Sequence, residues 1–212
     1  MDQTAIQPPV DLGLDGANEA PDQRRAERYS LLIRPAKLIC AQGEFVCVLR
    51  DVSASGVSAR LFHDLPSCED YQLELQSGQT YELRRVWTRA PEAGFEFAEH
   101  VDVNDVIGEF SRYPKRGLRL SLALPVNLRT LSGNTPAFIQ NISQQGARFE
   151  CDELWALDQA IRIESSDLKE IRAKVRWRRD AQYGVVFDDT FSLREFAQLA
   201  ARLQAPGLLG AE

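Results

Sequence analysis

The segment RDVSASG, residues 50–56, places a carboxylate, two hydroxyls and a glycine between two apolar runs. Asp51 accepts hydrogen bonds, Ser53 donates or accepts one, and Gly56 permits either a positive φ or a close approach of another group to the backbone. These residue types suit one wall of a site for a polar ligand. The same spacing is also typical of a turn in which side-chain oxygens bind the backbone, and this alternative stays open.

A cluster of arginines precedes this segment in the stretch RRAERY. Arg24 and Arg28 have the spacing Arg-x-x-x-Arg, and Arg25 lies between them. A guanidinium group contacts phosphate through two parallel hydrogen bonds and lies flat against an aromatic ring, which lysine does less well. The cluster therefore predicts a second wall for a flat, anionic ligand, although paired surface arginines are also typical of a solvated charge cluster.

The segment QNISQQG, residues 140–146, repeats the first motif at an offset of 90 residues. The same offset relates many other positions, which indicates two copies of one fold. Large aromatic side chains usually pack in cores, so the repeated tryptophans are predicted to be core or domain-packing residues. The matched pairs are Pro35 and Pro125, Leu38 and Leu128, Asp51 and Asn141, Ser53 and Ser143, Gly56 and Gly146, Trp87 and Trp177, Gly94 and Gly184, and Phe97 and Phe187.

The second copy lacks an arginine pair at the matching positions. The nearest basic pair is Lys115-x-x-x-Arg119, one residue out of register, with Arg116 as a possible substitute; Arg112-x-x-x-Arg116 is a literal match farther from the first strand. Lysine stacks and bridges phosphate less well than arginine, whereas Asn141 still accepts hydrogen bonds as Asp51 does. The first copy is therefore the preferred predicted site.

Short runs of β-branched and aromatic residues, separated by turn residues, predict antiparallel β structure in both copies. The apolar spacing of SLREFAQLAARL predicts an amphipathic helix at the end of the second copy. The predicted strands are Ser30–Ile39, Glu44–Val52, Gly56–Phe62, Tyr71–Gln76, Tyr81–Thr88, Gly94–Ala98, Arg119–Arg129, Ala137–Ser143, Ala147–Cys151, Ala160–Glu164, Ile171–Arg178 and Tyr183–Phe187, and the predicted helices are Val103–Phe110 and Ser192–Leu203.

Charge and length divide the 212 residues into three parts. Residues 1–22 carry a net charge of −5 and predict a mobile tail, while residues 23–111 and 112–212 carry −4 and +3 and predict one domain each. A net charge of −6 and a pI near 5.1 disfavour nucleic acid as a partner. No apolar run is long enough to span a membrane and no secretory signal is present, which predicts a cytoplasmic protein whose four cysteines are reduced and buried.

The sequence contains no recognisable catalytic or metal-binding motif. It has only two histidines, neither in a catalytic context, and no phosphate-binding glycine loop or metal-spaced cluster of cysteine and histidine. We therefore predict neither an enzyme nor a metal site.

Arg24-x-x-x-Arg28 and the Asp51 motif, followed by RRVW and AGFEF, together resemble a PilZ domain, the bacterial receptor module for cyclic di-GMP. The resemblance extends over both copies. It implies two six-stranded antiparallel β-barrels, each followed by an α-helix, with cyclic di-GMP as the ligand and no cofactor. It also implies a signalling receptor that regulates an unidentified protein partner in motility, biofilm formation or surface behaviour. A nucleotide-independent interaction scaffold is the alternative, and the oligomeric state stays open.

The resemblance assigns ligand-binding residues in each copy. Arginines would contact the two phosphates and stack on the two guanines, while Asp51 or Asn141 would accept from the guanine edge. The predicted set is Arg24, Arg25, Arg28, Asp51, Ser53 and Gly56 in the first copy, and Lys115, Arg116, Arg119, Asn141, Ser143 and Gly146 in the second.

Overall fold

A computed structural model describes residues 29–108, 117–131, 133–166 and 168–210. All of the predicted strands are present, with ends that shift by a few residues. The elements of the first copy are β1 Tyr29–Cys40, β2 Gly43–Val52, β3 Gly56–Arg60, β4 Asp70–Glu74, β5 Thr80–Arg89, β6 Glu92–Phe97 and α1 Val103–Ile107. Those of the second are β7 Arg119–Arg129, β8 Asn134–Ser143, β9 Gly146–Glu150, β10 Ala160–Ser165, β11 Leu168–Arg179, β12 Gln182–Phe187, α2 Leu193–Gln204 and a 3-10 helix, Pro206–Leu209.

The strands form two closed six-stranded antiparallel barrels, as predicted. The first has the strand order β1-β2-β3-β6-β5-β4 and the second β10-β11-β12-β9-β8-β7. In each barrel the first and fourth strands in sequence also pair, which closes the sheet and removes its exposed edges. The offset of 90 residues holds in three dimensions, since Trp87 lies opposite Gly94 and Trp177 lies opposite Gly184.

Alternate residues of most strands point into the barrels and form two apolar cores. Leu38, Leu49, Tyr71 and Phe95 are among the side chains that fill the first core. The second contains Leu128, Ile139, Phe149, Tyr183 and, from α2, Phe196. Each barrel therefore has a core of its own, as expected for two domains.

A helix follows each barrel. Helix α1 ends at Ile107 with Gly108 as its C-cap, and the predicted end, Phe110, lies outside the described residues. Helix α2 begins with a capping box: the Glu195 amide donates to Ser192 Oγ at 3.2 Å, and the Ser192 amide donates to Glu195 Oε2 at 2.8 Å. These hydrogen bonds lower the pKa of the Glu195 carboxyl group.

Helix α2 connects the two barrels by packing against β2. Gln204, in its last turn, binds the backbone of Glu44 in both directions: Gln204 Nε2 donates to the Glu44 carbonyl, and the Glu44 amide donates to Gln204 Oε1, each at 2.8 Å. The Glu44 carboxylate accepts from the Ser121 amide of β7 at 2.8 Å. Val46 of β2 is fully buried and belongs to the apolar core of the second barrel. The barrels therefore share a packed interface.

The cysteines only partly meet the expectation of burial. All four thiols are free; Cys47 and Cys151 are buried, whereas Cys40 and Cys68 are partly exposed. Desolvation raises the pKa of the Cys47 thiol to about 12. No helix in the described ranges is long and apolar enough to cross a membrane.

Candidate functional site

The motif Asp51-x-Ser53-x-x-Gly56 lies in the turn between β2 and β3. The Ser53 amide donates to the Gly56 carbonyl at 2.8 Å, and the Gly56 amide donates to Ser53 Oγ at 3.2 Å. In the second copy Ser143 Oγ donates to the Gly146 carbonyl at 3.0 Å. The motif therefore forms a turn in which side-chain oxygens bind the backbone, the alternative that the sequence left open. The two serines position the backbone of this turn.

Gly56 and Gly146 are needed for close packing against a neighbouring strand. Neither has a positive φ, so of the two roles considered from the sequence only the close approach applies. A Cβ at Gly56 would lie 2.6 Å from the Phe95 carbonyl oxygen, and one at Gly146 would overlap the Val185 carbonyl. Each glycine therefore lets the turn lie against the last strand of its barrel.

The Asp51 carboxylate is oriented by two serine hydroxyls. Ser30 Oγ donates to Oδ1 at 2.7 Å, and Ser58 Oγ donates to Oδ2 at 3.1 Å. Each carboxylate oxygen accepts more than one hydrogen bond, so both can still accept from a ligand. The carboxylate of Asp51 is therefore fixed in orientation and can accept further hydrogen bonds.

The two tryptophans that the repeat relates, Trp87 and Trp177, are not core residues, contrary to the sequence-based prediction. Trp87 is 42% exposed and Trp177 is 43% exposed. In each barrel the indole lies directly over the glycine on the opposite strand. The contact is so close that a Cβ at Gly94 or Gly184 would overlap the ring. The glycine thus provides a flat seat that holds the indole at the surface.

This seat leads to a testable prediction. Gly94→Ala should displace the Trp87 indole and destabilise the protein by about 1–3 kcal/mol, the usual cost of forcing extra volume into a packed site. Thermal unfolding and tryptophan emission measure the effect. Gly117→Ala is the matched control, since nothing lies within 4 Å of a Cβ at that position. Equal melting temperatures for the two variants would contradict the prediction.

The first barrel has a surface depression of about 290 Å³ at this site. Its lining includes Asp51, Ser53, Ser58, Trp87 and Glu96. No cationic side chain of the described residues lines it, and the charged side chains that do are Asp51 and Glu96. The predicted Arg24, Arg25 and Arg28 all lie outside the described residues.

The second barrel has a depression of about 570 Å³ at the equivalent place. It is lined by Asn141, Ser143 and Gly146, which the sequence predicted, together with Trp177. Arg119 also lines it, as predicted, while the predicted Lys115 and Arg116 lie outside the described residues. One further lining residue, Gln76, comes from the first barrel, so this depression lies next to both domains.

Two more arginines in the second depression carry no motif and were missed from the sequence. Arg176 forms an ion pair with Asp158 at 3.0 Å, whereas Nε of Arg148 is buried without a hydrogen-bond partner in the described part of the chain. Arg148 pairs with Asn141 across the sheet, where the first barrel has Ser58 beside Asp51. The sequence did contain a signal for Arg148: the offset of 90 residues aligns it with Ser58, so the second copy has an arginine where the first has a serine facing the motif.

The sequence has no match among curated proteins. Its fold is similar to that of several solved structures. PlzA from Borreliella burgdorferi, solved with c-di-GMP, is 10% identical, with 85% of this chain and 94% of that chain covered and a TM-score of 0.35. The Bacillus subtilis inhibitor of motility MotI is 14% identical, with 84% and 99% covered and a TM-score of 0.36. YcgR from Escherichia coli, solved with c-di-GMP, is 13% identical, with 78% and 81% covered and a TM-score of 0.31.

The model of the PilZ domain family matches the chain twice, over residues 22–113 and over residues 110–205. These two ranges take in both barrels and α2. The chain therefore belongs to the PilZ domain family and carries two PilZ domains in tandem.

Proposed function

We propose that this protein is a cytoplasmic, non-enzymatic receptor for cyclic di-GMP that regulates a protein partner in motility, biofilm formation or surface behaviour. One observation carries the proposal: in both barrels the Asp/Asn-x-Ser-x-x-Gly turn and a half-exposed tryptophan line the same depression. Membership of the PilZ family supports it further.

The groups in these depressions match the chemistry of the ligand. Cyclic di-GMP offers two flat guanines and two phosphodiester charges. An indole face stacks on a purine, and Asp51 or Asn141 accepts from the N1–H and N2–H groups of guanine. The two phosphodiester charges need cations, and arginine suits them because it binds phosphate bidentately and also stacks on bases.

The source of the arginines differs between the two barrels. In the first barrel Tyr29, which follows Arg28 in the sequence, pairs with Val52, and Val52 lines the depression; we infer that Arg24, Arg25 and Arg28 supply its cations. In the second barrel Arg119 and Arg148 belong to the strands themselves. We infer that both barrels bind the ligand, the first through the N-terminal arginines and the second through cations fixed on the sheet.

The second depression offers a route from ligand to partner. Arg119 begins β7, and two residues later the Ser121 amide binds the Glu44 carboxylate of the first barrel. Gln76 of the first barrel lines the same depression. A ligand that draws Arg119 into the depression would therefore move β7, which is hydrogen-bonded to the first barrel. The partner would detect the resulting change in the orientation of the two barrels.

The scaffold alternative has less support. It expects an exposed apolar face on residues 192–203, available for a partner protein. Phe196, Leu199 and Ala200 of that helix are instead buried in the core of the second barrel, which Val46 of the first barrel joins. The observation that would favour the scaffold is therefore missing from the described helix.

Titration calorimetry with cyclic di-GMP tests the proposal. We expect the full chain to bind in two steps, and the variant Arg24→Ala with Arg28→Ala to lose the step that belongs to the first barrel. The loss should be about 100-fold or more in affinity, because two hydrogen-bonded charges are each worth about 1.5–3 kcal/mol.

Arg84→Ala is the matched control, since this exposed arginine lines a different surface of the first barrel. Cyclic di-AMP is the ligand control, because adenine lacks the O6 acceptor and the N1–H donor of guanine. Absence of any heat with cyclic di-GMP would refute the receptor function. An unchanged affinity in the double variant would refute the role of the N-terminal arginines alone.

A further inference from the structure

Three arginines lie directly opposite one another across three neighbouring strands of the second barrel. Arg129 of β7 pairs with Arg162 of β10, which in turn pairs with Arg172 of β11. A buried residue precedes each of them along its strand, and one also follows Arg162 and Arg172, so the side chains point outward, and all three are exposed. We call these three residues the arginine row.

The arginine row has no evident structural purpose. Like charges directly opposite on a sheet destabilise it, because their side chains are within about 5.5 Å at the Cβ atoms. Arg129 and Arg162 relieve part of the repulsion through Glu164 and Glu170, each at 3.3 Å. Arg172 forms no ion pair within the described ranges.

The first barrel shows that the fold does not require this row. The equivalent cross-strand positions hold Ile39, Gln72 and Glu82. Gln72 Nε2 donates to Glu82 Oε1 at 3.2 Å, so the row in the first barrel is free of like charge and internally hydrogen-bonded. The two copies share a backbone and differ in this surface, which indicates that the row serves something other than folding.

The arginine row borders a depression of about 490 Å³ that shares no lining residue with the nucleotide site. Besides the three arginines, the depression is lined by Leu131, which is fully exposed, and by Asp188. Glu164 and Glu170, which pair with the row, do not line it. The depression is therefore lined by three cations, of which Arg172 has no ion-pair partner among the described residues, and by one exposed apolar side chain.

We propose that the arginine row and Leu131 form a docking site for an acidic segment of a protein partner, one that carries an apolar residue among its carboxylates. Carboxylates bind guanidinium groups bidentately, and an apolar residue would cover Leu131. A nucleic acid fits this surface less well. Its backbone carries a phosphate at every nucleotide and would meet Asp188, Glu164 and Glu170, whereas a peptide can place its carboxylates against the arginines alone.

Fluorescence anisotropy on the full chain tests the proposal. The probe is a fluorescein-labelled peptide in which one leucine is flanked by runs of glutamate, and the control peptide has glutamine in place of glutamate. Arg162→Gln with Arg172→Gln should weaken binding of the glutamate peptide about fivefold, since exposed ion pairs are each worth about 0.2–1 kcal/mol. Added salt should weaken it further.

Arg178→Gln with Arg179→Gln is the matched control, because it removes two exposed arginines from the same barrel that line neither depression and should leave peptide binding unchanged. Cyclic di-GMP binding by the Arg162→Gln, Arg172→Gln variant should also be unchanged, which shows that the variant is folded and separates this proposal from the receptor function. Equal binding of both peptides, or equal loss in both variants, would overturn the proposal. Tighter binding of a fluorescein-labelled DNA duplex, lost in the same row variant, would replace it with a nucleic-acid site.

Discussion

Replacing Arg119 and Arg148 together with alanine should weaken cyclic di-GMP binding at the second barrel by about 100-fold or more. Both side chains line the depression that Asn141 and Trp177 also line. Each charged hydrogen bond lost is worth about 1.5–3 kcal/mol. The buried Nε of Arg148 has no partner in the described part of the chain, so a ligand phosphate would satisfy a guanidinium group that the fold leaves incomplete.

Titration calorimetry on the full chain measures this loss, and Arg162→Ala with Arg172→Ala serves as the charge-matched control, since these two arginines line a separate depression. The control should bind the nucleotide as the wild type does. If the Arg119→Ala, Arg148→Ala variant keeps its affinity while Arg24→Ala with Arg28→Ala abolishes all binding, the second barrel is not a nucleotide site. In that case only the first barrel would bind the nucleotide.

The fold was predictable from the sequence because the evidence for it is local and occurs twice. Strand periodicity, turn residues and the offset of 90 residues each give the same architecture in both copies. The two glycine motifs were predictable for the same reason. Their role was open, since a turn and a ligand wall use the same residues, and the structure shows that Ser53 and Ser143 at least form the turn.

The parts of the site that were not predicted depend on pairing across strands. Arg148 faces Asn141 only once β8 and β9 are in register, and Gln76 reaches the second depression only through the packing of one barrel on the other. Trp87 has the size of a core residue, yet Gly94 opposite it provides a surface seat. No local pattern carries these relations, because each joins residues that are distant in the chain.

The interface between the barrels did leave one signal in the sequence. The run FVCVL in β2 is apolar at every position, whereas the equivalent strand β8 alternates between buried and more exposed residues. A continuous apolar run is typical of a strand buried on both faces. Cys47 and Leu49 point into the first core, and Val46 packs in the second. The position equivalent to Val48 in the second copy is Phe138, which is 45% exposed.

Val46→Asp should therefore separate the two barrels without unfolding either one. The variant buries an unpaired carboxylate at a position that is fully inaccessible, at a cost of about 3–5 kcal/mol. Each barrel keeps its own closed sheet, so the cost falls on the contact of α2 with β2. Small-angle X-ray scattering should show a larger radius of gyration, and hydrogen exchange should show loss of protection in α2 and at the Glu44 amide, which donates to Gln204.

Two further variants make this result specific. Leu154→Asp adds the same charge at a side chain that is 76% exposed and should leave the radius of gyration unchanged. Gln204→Ala removes the two hydrogen bonds to Glu44 and should increase hydrogen exchange at the Glu44 amide while both barrels stay folded. If Val46→Asp keeps the compact arrangement, the barrels are held together by the polar contacts of Glu44, and burial of Val46 contributes little. In that case Gln204→Ala, and not Val46→Asp, would separate them.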